Sequence, residues 1–229
     1  MPYLSMVFVI WKGSAKVRIP EHIGIIPDGN RRWAKDRGLG PEKGYAHGLH
    51  PGLDLLRQAK ACGIKEITYY GFTVDNCKRP ILQQKAFQQA CVEAIHLIAS
   101  EGASLLVVGN TESDCFPKEL LPYTKRVDMN GGGIKVNFLV NYEWEWDLSK
   151  LRTSKLVDKA ILKQLHSSDI SRIDLIIRWG NMRRLSGFLP LQSVYSDFYV
   201  VEDMWPDYRP EHLQEALNWY NIQDVTLGG

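Results

Sequence analysis

Cysteine is scarce in this chain of 229 residues, and the few cysteines present do not cluster. Cys62, Cys77, Cys91 and Cys115 show no Cys-x-x-Cys spacing and no grouping with histidine, which argues against a zinc site and a disulfide framework. Free thiols in a reducing cytoplasm are the expectation. No basic run accompanies the formal net charge of +2, so nucleic acid is not the expected partner. Long apolar runs are missing as well. The stretch Met6 to Trp11 falls far below the ~20 residues of a membrane span, and it lacks a basic leader and a small-residue cleavage site. No internal repeat, low-complexity tract or long linker interrupts the chain. What remains is an ordinary composition, 45% hydrophobic and 24% charged, in a length that buries a core as one domain or a tight pair.

Apolar runs alternate with helical stretches, the pattern of a mostly parallel sheet with helices on its faces. Strands are expected at Ile23 to Ile26, Glu66 to Phe72, Ser104 to Val108, Ile134 to Asn141 and Ile173 to Ile177. One helix is expected from Gly52 to Cys62, carrying Leu53, Leu55, Leu56 and Ala59 and stopped by Gly63. A second follows Pro80 and runs to about Ser100, and a third spans Ser154 to Leu165. Along the second, Leu82, Ala86, Phe87, Ala90, Cys91, Ala94, Ile95 and Ile98 make a broad apolar stripe. The reading is therefore an α/β domain over residues 21–229. Residues 1–20 are expected to form an arm packing on the body or on a second subunit, with contact to a membrane surface as the alternative.

The chain is organised around His22-Ile23-Gly24-Ile25-Ile26-Pro27-Asp28-Gly29-Asn30-Arg31-Arg32-Trp33. A buried strand stops at Pro27, Asp28-Gly29-Asn30 turns, and a helix begins. Free backbone N–H groups beside a carboxylate suit a phosphate, with Asp28 able to hold a divalent metal and Arg32 adding charge. The same residues equally suit a plain strand–turn–helix link with a solvated Asp.

The spelling of this stretch resembles the signature of the cis-prenyltransferases, the undecaprenyl diphosphate synthase family: His, an apolar strand, then Asp-Gly-Asn-x-Arg-Trp. Further matches follow in order. Tyr70-Gly71-Phe72-Thr73-Val74-Asp75-Asn76-Cys77-Lys78-Arg79-Pro80 is similar to the family's second signature, and Asn141 to Asp147 is similar to its Asn-Tyr-Gly-Gly-x-Trp-Asp. Arg178, Arg184, Ser186, Phe188, Gln192, Tyr195, Asp197 and Trp205-Pro206 fall where its third signature has equivalents.

The resemblance implies joining of an allylic prenyl diphosphate to isopentenyl diphosphate, in a site with two diphosphate pockets, Mg²⁺ and a greasy cavity. Asp28, Asn76 and Arg79 would be catalytic. Gly29, Asn30, Arg31, Arg32, Trp33, Tyr45, Phe72, Arg178, Arg184 and Ser186 would bind substrate, and Asp28 with Asp197 would hold the metal. The helix after Pro80 would line a hydrophobic tunnel enclosed by the domain, and a homodimer would be the assembly. Departures cluster at the diphosphate pockets. Pro41 and Tyr45 replace an Arg and a His, Asp75 replaces a Glu and Cys77 a Trp; larger residues replace two glycines after Tyr142, and Trp179-Gly180-Asn181-Met182 lacks an acid. These changes motivate an alternative, an irregular lavandulyl-type condensation with dimethylallyl diphosphate as acceptor. A third reading is a non-catalytic subunit of a heteromeric enzyme.

Overall fold

The computed structural model describes residues 17–129, 131, 133–153 and 161–224. The expected arm therefore lies outside the described residues as far as residue 16, and the expected helix from Ser154 lies outside them up to residue 160. The remainder of that helix, Ile161–Gln164, is a 3-10 turn.

Among the described residues seven strands make one sheet: β1 (His22–Ile26), β2 (Glu66–Tyr70), β3 (Ser104–Val108), β4 (Val127–Asp128), β5 (Lys135–Leu139), β6 (Leu175–Arg178) and β7 (Asp197–Val200). Their order is β4-β3-β5-β2-β1-β6-β7, and every pairing is parallel except β3 with the two-residue β4. Every residue of β1, β2, β3 and β6 is buried, which is why apolar side chains dominate these segments, with His22, Glu66, Thr68, Ser104 and Arg178 the buried exceptions. From β1 the chain builds out through β2 on one side and returns through β6 on the other. The crevice between the carboxyl ends of β1 and β6 is thus a topological switch point, where open α/β sheets place their ligands.

Among the described residues six helices accompany the sheet: α1 (Asn30–Asp36), α2 (Gly44–His47), α3 (Leu49–Ala61), α4 (Ile81–Ala99), α5 (Trp144–Leu148) and α6 (Pro210–Asn221). On one face of the sheet Ile23 and Ile25 pack with Leu55, Leu56, Ile95 and Leu217 from α3, α4 and α6. On the other, Ile26 and Ile176 meet Tyr70, Tyr142 and Phe188, a smaller cluster covered by α5 and by irregular chain. Each fully buried Leu or Ile is worth roughly 1.5–3 kcal/mol. α3 starts three residues before the expected Gly52, because Pro51 falls in the first turn, where its missing N–H costs no helical bond. Its end is as expected: Gly63 is left-handed at φ 83°, and Ile64 N–H returns to the Ala59 carbonyl at 3.1 Å.

Candidate active site

At the carboxyl end of β1 the chain turns through Asp28 and Gly29 into α1. Gly29 has φ 104°, and a Cβ there would lie 2.8 Å from Cβ of Met204, so neither backbone nor space admits another residue. Asp28 Oδ1 accepts the Gly29 N–H at 2.6 Å, and Asp28 Oδ2 accepts from Arg178 Nη2 at 2.8 Å. The Arg178 side chain is 5% exposed and that of Asp28 34%, so the pair joins a buried cation to a carboxylate that faces the open. Arg178 also donates from Nη1 to the Arg184 carbonyl and to Ser186 Oγ, the latter at 2.9 Å. Its Nε has no partner although it is buried.

Arg32 completes this corner. Its Nη2 donates to the Gly180 carbonyl at 2.9 Å and lies 3.7 Å from Asp28 Oδ1. Gly180 sits at φ 80°, and any Cβ there would collide with the Arg32 guanidinium. Two further bonds fasten the corner from behind: Gly180 N–H to the Asp203 carbonyl at 2.8 Å, and Trp205 N–H to the Asp28 carbonyl at 2.9 Å. Ser186 is held at φ 52°, a strained value for serine, with its carbonyl taking the Tyr70 hydroxyl at 2.7 Å.

These groups floor a cleft of about 830 Å³ lined by Asp28, Gly29, Asn30, Arg31, Arg32, Tyr45, Asn76, Arg79, Arg178, Arg184 and Ser186. Ten residues expected to act from the first, second and third signatures therefore meet in one place, together with Tyr45. Lys35 brings the cations of the lining to six, against four carboxylates: Asp28, Asp75, Glu143 and Glu145. Such a surplus attracts anions of high charge density. Asn76 accepts the Thr73 N–H at 3.0 Å and so shapes the turn that carries Arg79. Arg79 Nη1 donates to the Tyr45 hydroxyl at 2.8 Å. Burial pushes the Tyr45 phenol up and draws the Arg79 guanidinium down from their ordinary values. Cys77, in place of an expected aromatic, is pushed up to about 12 by burial and by its neighbour Cys115, which favours the protonated thiol.

A second, apolar space of about 80 Å³ adjoins the cleft, lined by Gly52, Tyr69, Phe87, Ala90, Cys91, Ala94, Ile98, Phe138 and Trp205 among others. Part of the stripe expected along α4 faces it, whereas Ile81 and Leu82 at the start of the helix are exposed.

Three expected site residues are not in the cleft. Trp33 lies about 100° around α1 from Arg32 and points into the body, where its indole N–H donates to Asp207 Oδ1 at 2.7 Å. Phe72 is fully buried in the main core behind Phe87. Asp197 is the first residue of β7, in register with Leu175 and hence with Ile23, five residues before Asp28. At ~3.3 Å per strand residue the two carboxylates are on the order of 15 Å apart along the sheet. Asp197 instead pairs with Arg18 at 3.3 Å, so within one chain it cannot share a metal with Asp28.

Residues not singled out in advance also line the cleft, chiefly Lys35, Tyr70, Tyr142, Glu143, Trp144, Glu145 and Met182. Glu143 and Trp144 carried a signal, since they stand where the resemblance expects two glycines. Trp144 covers Gly187, at which a Cβ would come within 2.9 Å of the indole.

A family model described as "Putative undecaprenyl diphosphate synthase" matches residues 26–228. An isoprenyl transferase of Streptococcus pneumoniae is 30% identical over 93% of both chains. A ditrans,polycis-undecaprenyl-diphosphate synthase of Buchnera aphidicola, named as specific for (2E,6E)-farnesyl diphosphate, is 28% identical over 91% of each. Among solved structures, lavandulyl diphosphate synthase from Lavandula x intermedia, in complex with dimethylallyl diphosphate, superposes with a TM-score of 0.79. That likeness covers 92% of this chain and 98% of the other at 21% identity, and it is a likeness of fold.

Proposed function

The chain belongs to the undecaprenyl diphosphate synthase family and is a prenyl transferase, and from that premise we propose that it condenses an allylic prenyl diphosphate with isopentenyl diphosphate, head to tail and in cis. The observation that carries the reading is the junction of two unlike spaces, a cleft with six cations around Asp28 and an apolar cavity opening from it. A prenyl diphosphate has the same two halves.

In the reaction the allylic C–O bond breaks, and diphosphate leaves with the electron pair. The isopentenyl double bond attacks the carbon so exposed, and loss of one proton from the acceptor completes the product. Gly29 to Arg32 present a helix start and a guanidinium to the leaving diphosphate. Arg178, Arg184 and Ser186 are the second anion clamp. Asn76 and Arg79 hold the reacting ends from the opposite wall, and the apolar lining keeps water from the cation.

A divalent metal fits Asp28, because its carboxylate faces the cleft and a single carboxylate plus diphosphate oxygens is a donor set that Mg²⁺ accepts. Among the described residues no group of three acidic, His or Cys side chains offers a self-sufficient metal site, so substrate oxygens must complete the shell. The bound ion supplies neutralisation of the departing diphosphate.

Extension of the apolar cavity along α4 into a tunnel belongs to the same reading. So does a homodimer, supported by the open edge of β7 with Val194 and Tyr195 exposed beside it. Ile81 and Leu82, exposed beside the cleft, support peripheral contact with a membrane, and no described helix is long and apolar enough to cross one. Four free thiols support a cytoplasmic setting.

One observation favours a second reading. Glu143 and Trp144 occupy cleft wall where glycines are expected, and a reshaped wall can turn the acceptor, as an irregular condensation on dimethylallyl diphosphate requires. The non-catalytic subunit has no such support, since Asp28 stands on the cleft floor. The test is incubation with Mg²⁺ and dimethylallyl, geranyl, farnesyl or geranylgeranyl diphosphate, with and without isopentenyl diphosphate. Isopentenyl-dependent Z-chains are expected. Branched products from dimethylallyl diphosphate would establish the irregular enzyme instead, and no product with any primer would reject both.

A further inference from the structure

The second anion clamp stands on the loop that leaves β6 at Arg178. Near its start the loop is tied to the chain after β7, by Gly180 N–H on the Asp203 carbonyl and Asn181 N–H on the Val201 carbonyl at 3.1 Å. At its far end Phe188 N–H returns to Leu185 of the same loop, also at 3.1 Å. Between these points Ser186 takes φ 52° and Gly187 φ 79°. A serine persists in that region only when its surroundings hold it there. Two side chains do so. Arg178 Nη1 donates to Ser186 Oγ at 2.9 Å, and the Tyr70 hydroxyl donates to the Ser186 carbonyl at 2.7 Å. Tyr70 is the firmer anchor. It is the last residue of β2, which β1 separates from β6, and it is buried. Its ring lies 5.2 Å from that of the fully buried Phe188 and 6.3 Å from that of Tyr142, whose own hydroxyl is held by Asp147 Oδ2 at 2.9 Å. Burial pushes the Tyr70 phenol up, so at neutral pH it remains a donor.

We propose that Tyr70 is a positioning residue for the second clamp: its hydroxyl fixes the left-handed turn at Ser186, and that turn aims the serine hydroxyl, beside Arg178 and Arg184, at the diphosphate of the acceptor. The proposal rests on the prenyl-transfer reading and deepens it, since it assigns what sets the acceptor's site. Arg178 already occupies one lone pair of Ser186 Oγ, which leaves the serine hydrogen for a ligand oxygen. Where that hydrogen can point depends on where the main chain of Ser186 stands. Without the tyrosine bond the turn relaxes toward ordinary backbone, and the hydroxyl swings out of the clamp. Gly29 and Arg32 are fastened separately, through the Asp28 carboxylate and the Gly180 carbonyl, so the allylic head group keeps its site.

The experiment is steady-state kinetics of Tyr70→Phe, which deletes one oxygen and keeps the ring. KM for isopentenyl diphosphate should rise about tenfold, the scale of one buried hydrogen bond, while KM for the allylic primer stays within about twofold. A merely structural tyrosine would move both values together. Ser186→Ala removes the hydroxyl through which Tyr70 acts, so adding Tyr70→Phe to it should raise the isopentenyl KM by less than about twofold more. If Tyr70→Phe does not fold by circular dichroism, Tyr70→Met removes the same donor and adapts to the gap. An unchanged isopentenyl KM, equal shifts in both KM values, or full additivity with Ser186→Ala overturns the proposal. Should the protein not use isopentenyl diphosphate, the head-to-tail reading fails separately, and a crystal structure of Tyr70→Phe reads the positioning alone. Ser186 displaced from its left-handed backbone, with Oγ off Arg178, is the expected result. Ser186 unmoved, with Oγ still on Arg178 Nη1, overturns the assignment whatever the reaction.

Discussion

The two ends of the parallel sheet both bury polar groups, and they treat them in opposite ways. At the amino end His22, Glu66, Thr68, Asn137 and Ser171 form a closed circuit. His22 Nε2 meets Thr68 Oγ1 at 2.8 Å, Asn137 donates to Glu66 Oε1 at 2.7 Å and to Thr68 Oγ1 at 2.9 Å, and Ser171 Oγ donates to Glu66 Oε2 at 2.7 Å. Arg126 closes it by donating to the Asn137 side-chain oxygen at 2.8 Å and pairing with Asp169 at 2.7 Å. At the carboxyl end Arg178 Nε and Asn30 Oδ1 are buried without partners, serine and glycine adopt left-handed backbone, and cations crowd together. A third orphan, Gln192 Oε1, sits on the amino side of β6, where the Gln192 carbonyl accepts the Ile173 N–H at 3.0 Å and Nε2 donates to Ser167 Oγ at 2.7 Å. One end spends its polar groups on holding strands in register. The other keeps capacity free for a ligand, at a cost in stability.

The contrast breaks most sharply at Asp28. Asp28→Asn keeps the shape and one acceptor, and should lower kcat/KM for isopentenyl incorporation by about 10²–10³. Its melting temperature should stay within a few degrees of the wild type, because the position is tuned for ligand rather than for packing; a large melting shift would show the two ends to be alike. Glu66→Ala is the mirror experiment. It strips partners from Asn137 and Ser171, and urea unfolding should register a loss of about 3 kcal/mol. Turnover per folded molecule should be retained, and a turnover loss as large as that of Asp28→Asn would contradict the division of labour.

Gly180→Ala probes the join between stability and function. It imposes a left-handed alanine and displaces Arg32, so we expect about 1–2 kcal/mol of destabilisation together with a rise in KM for the allylic primer. A crystal structure of the variant with Arg32 unmoved would refute the explanation. The smallest effect is one of pH. Burial lowers the His22 pKa; burial raises that of Glu66, but His22 and the bonds from Ser171 and Asn137 outweigh it and leave the carboxyl lowered. Both groups bind protons less readily folded than unfolded, so their stabilisation is complete above the ordinary histidine value of 6.5 and is lost as pH falls beneath it. Melting temperature should drop on acidification from pH 7 to 5, and His22→Gln should flatten the upper part of that drop.

Much of this was legible in the sequence. Runs dominated by apolar residues marked the buried strands, and Asp28-Gly29-Asn30 marked the turn at the switch point, because both follow from local chemistry. Motif membership also brought Arg32, Asn76, Arg79, Arg178, Arg184 and Ser186 to one cleft. It failed where direction matters. Trp33 differs from Arg32 by one step of a helix and faces inward, and Phe72, expected to bind substrate, sits buried behind Phe87. Asp197 lies at the wrong end of its strand, and that depends on which residue of β6 it faces, a long-range fact that no local spacing contains. Glu143 and Trp144 were visible as oddities, but their place in the cleft wall depends on how α5 packs.

The bond between Asp28 and Arg178 has one more consequence. The cleft carries its own counter-charge, a carboxylate already seated on the guanidinium that a diphosphate would claim. Binding there is an exchange of partners rather than the capture of a bare cation. Its heat should therefore be modest, and affinity should fall with salt less steeply than six cations alone would dictate. Selection then favours whichever anion can replace the aspartate and also find it a new companion, a demand that a lone phosphate meets poorly and a metal-bearing diphosphate meets well.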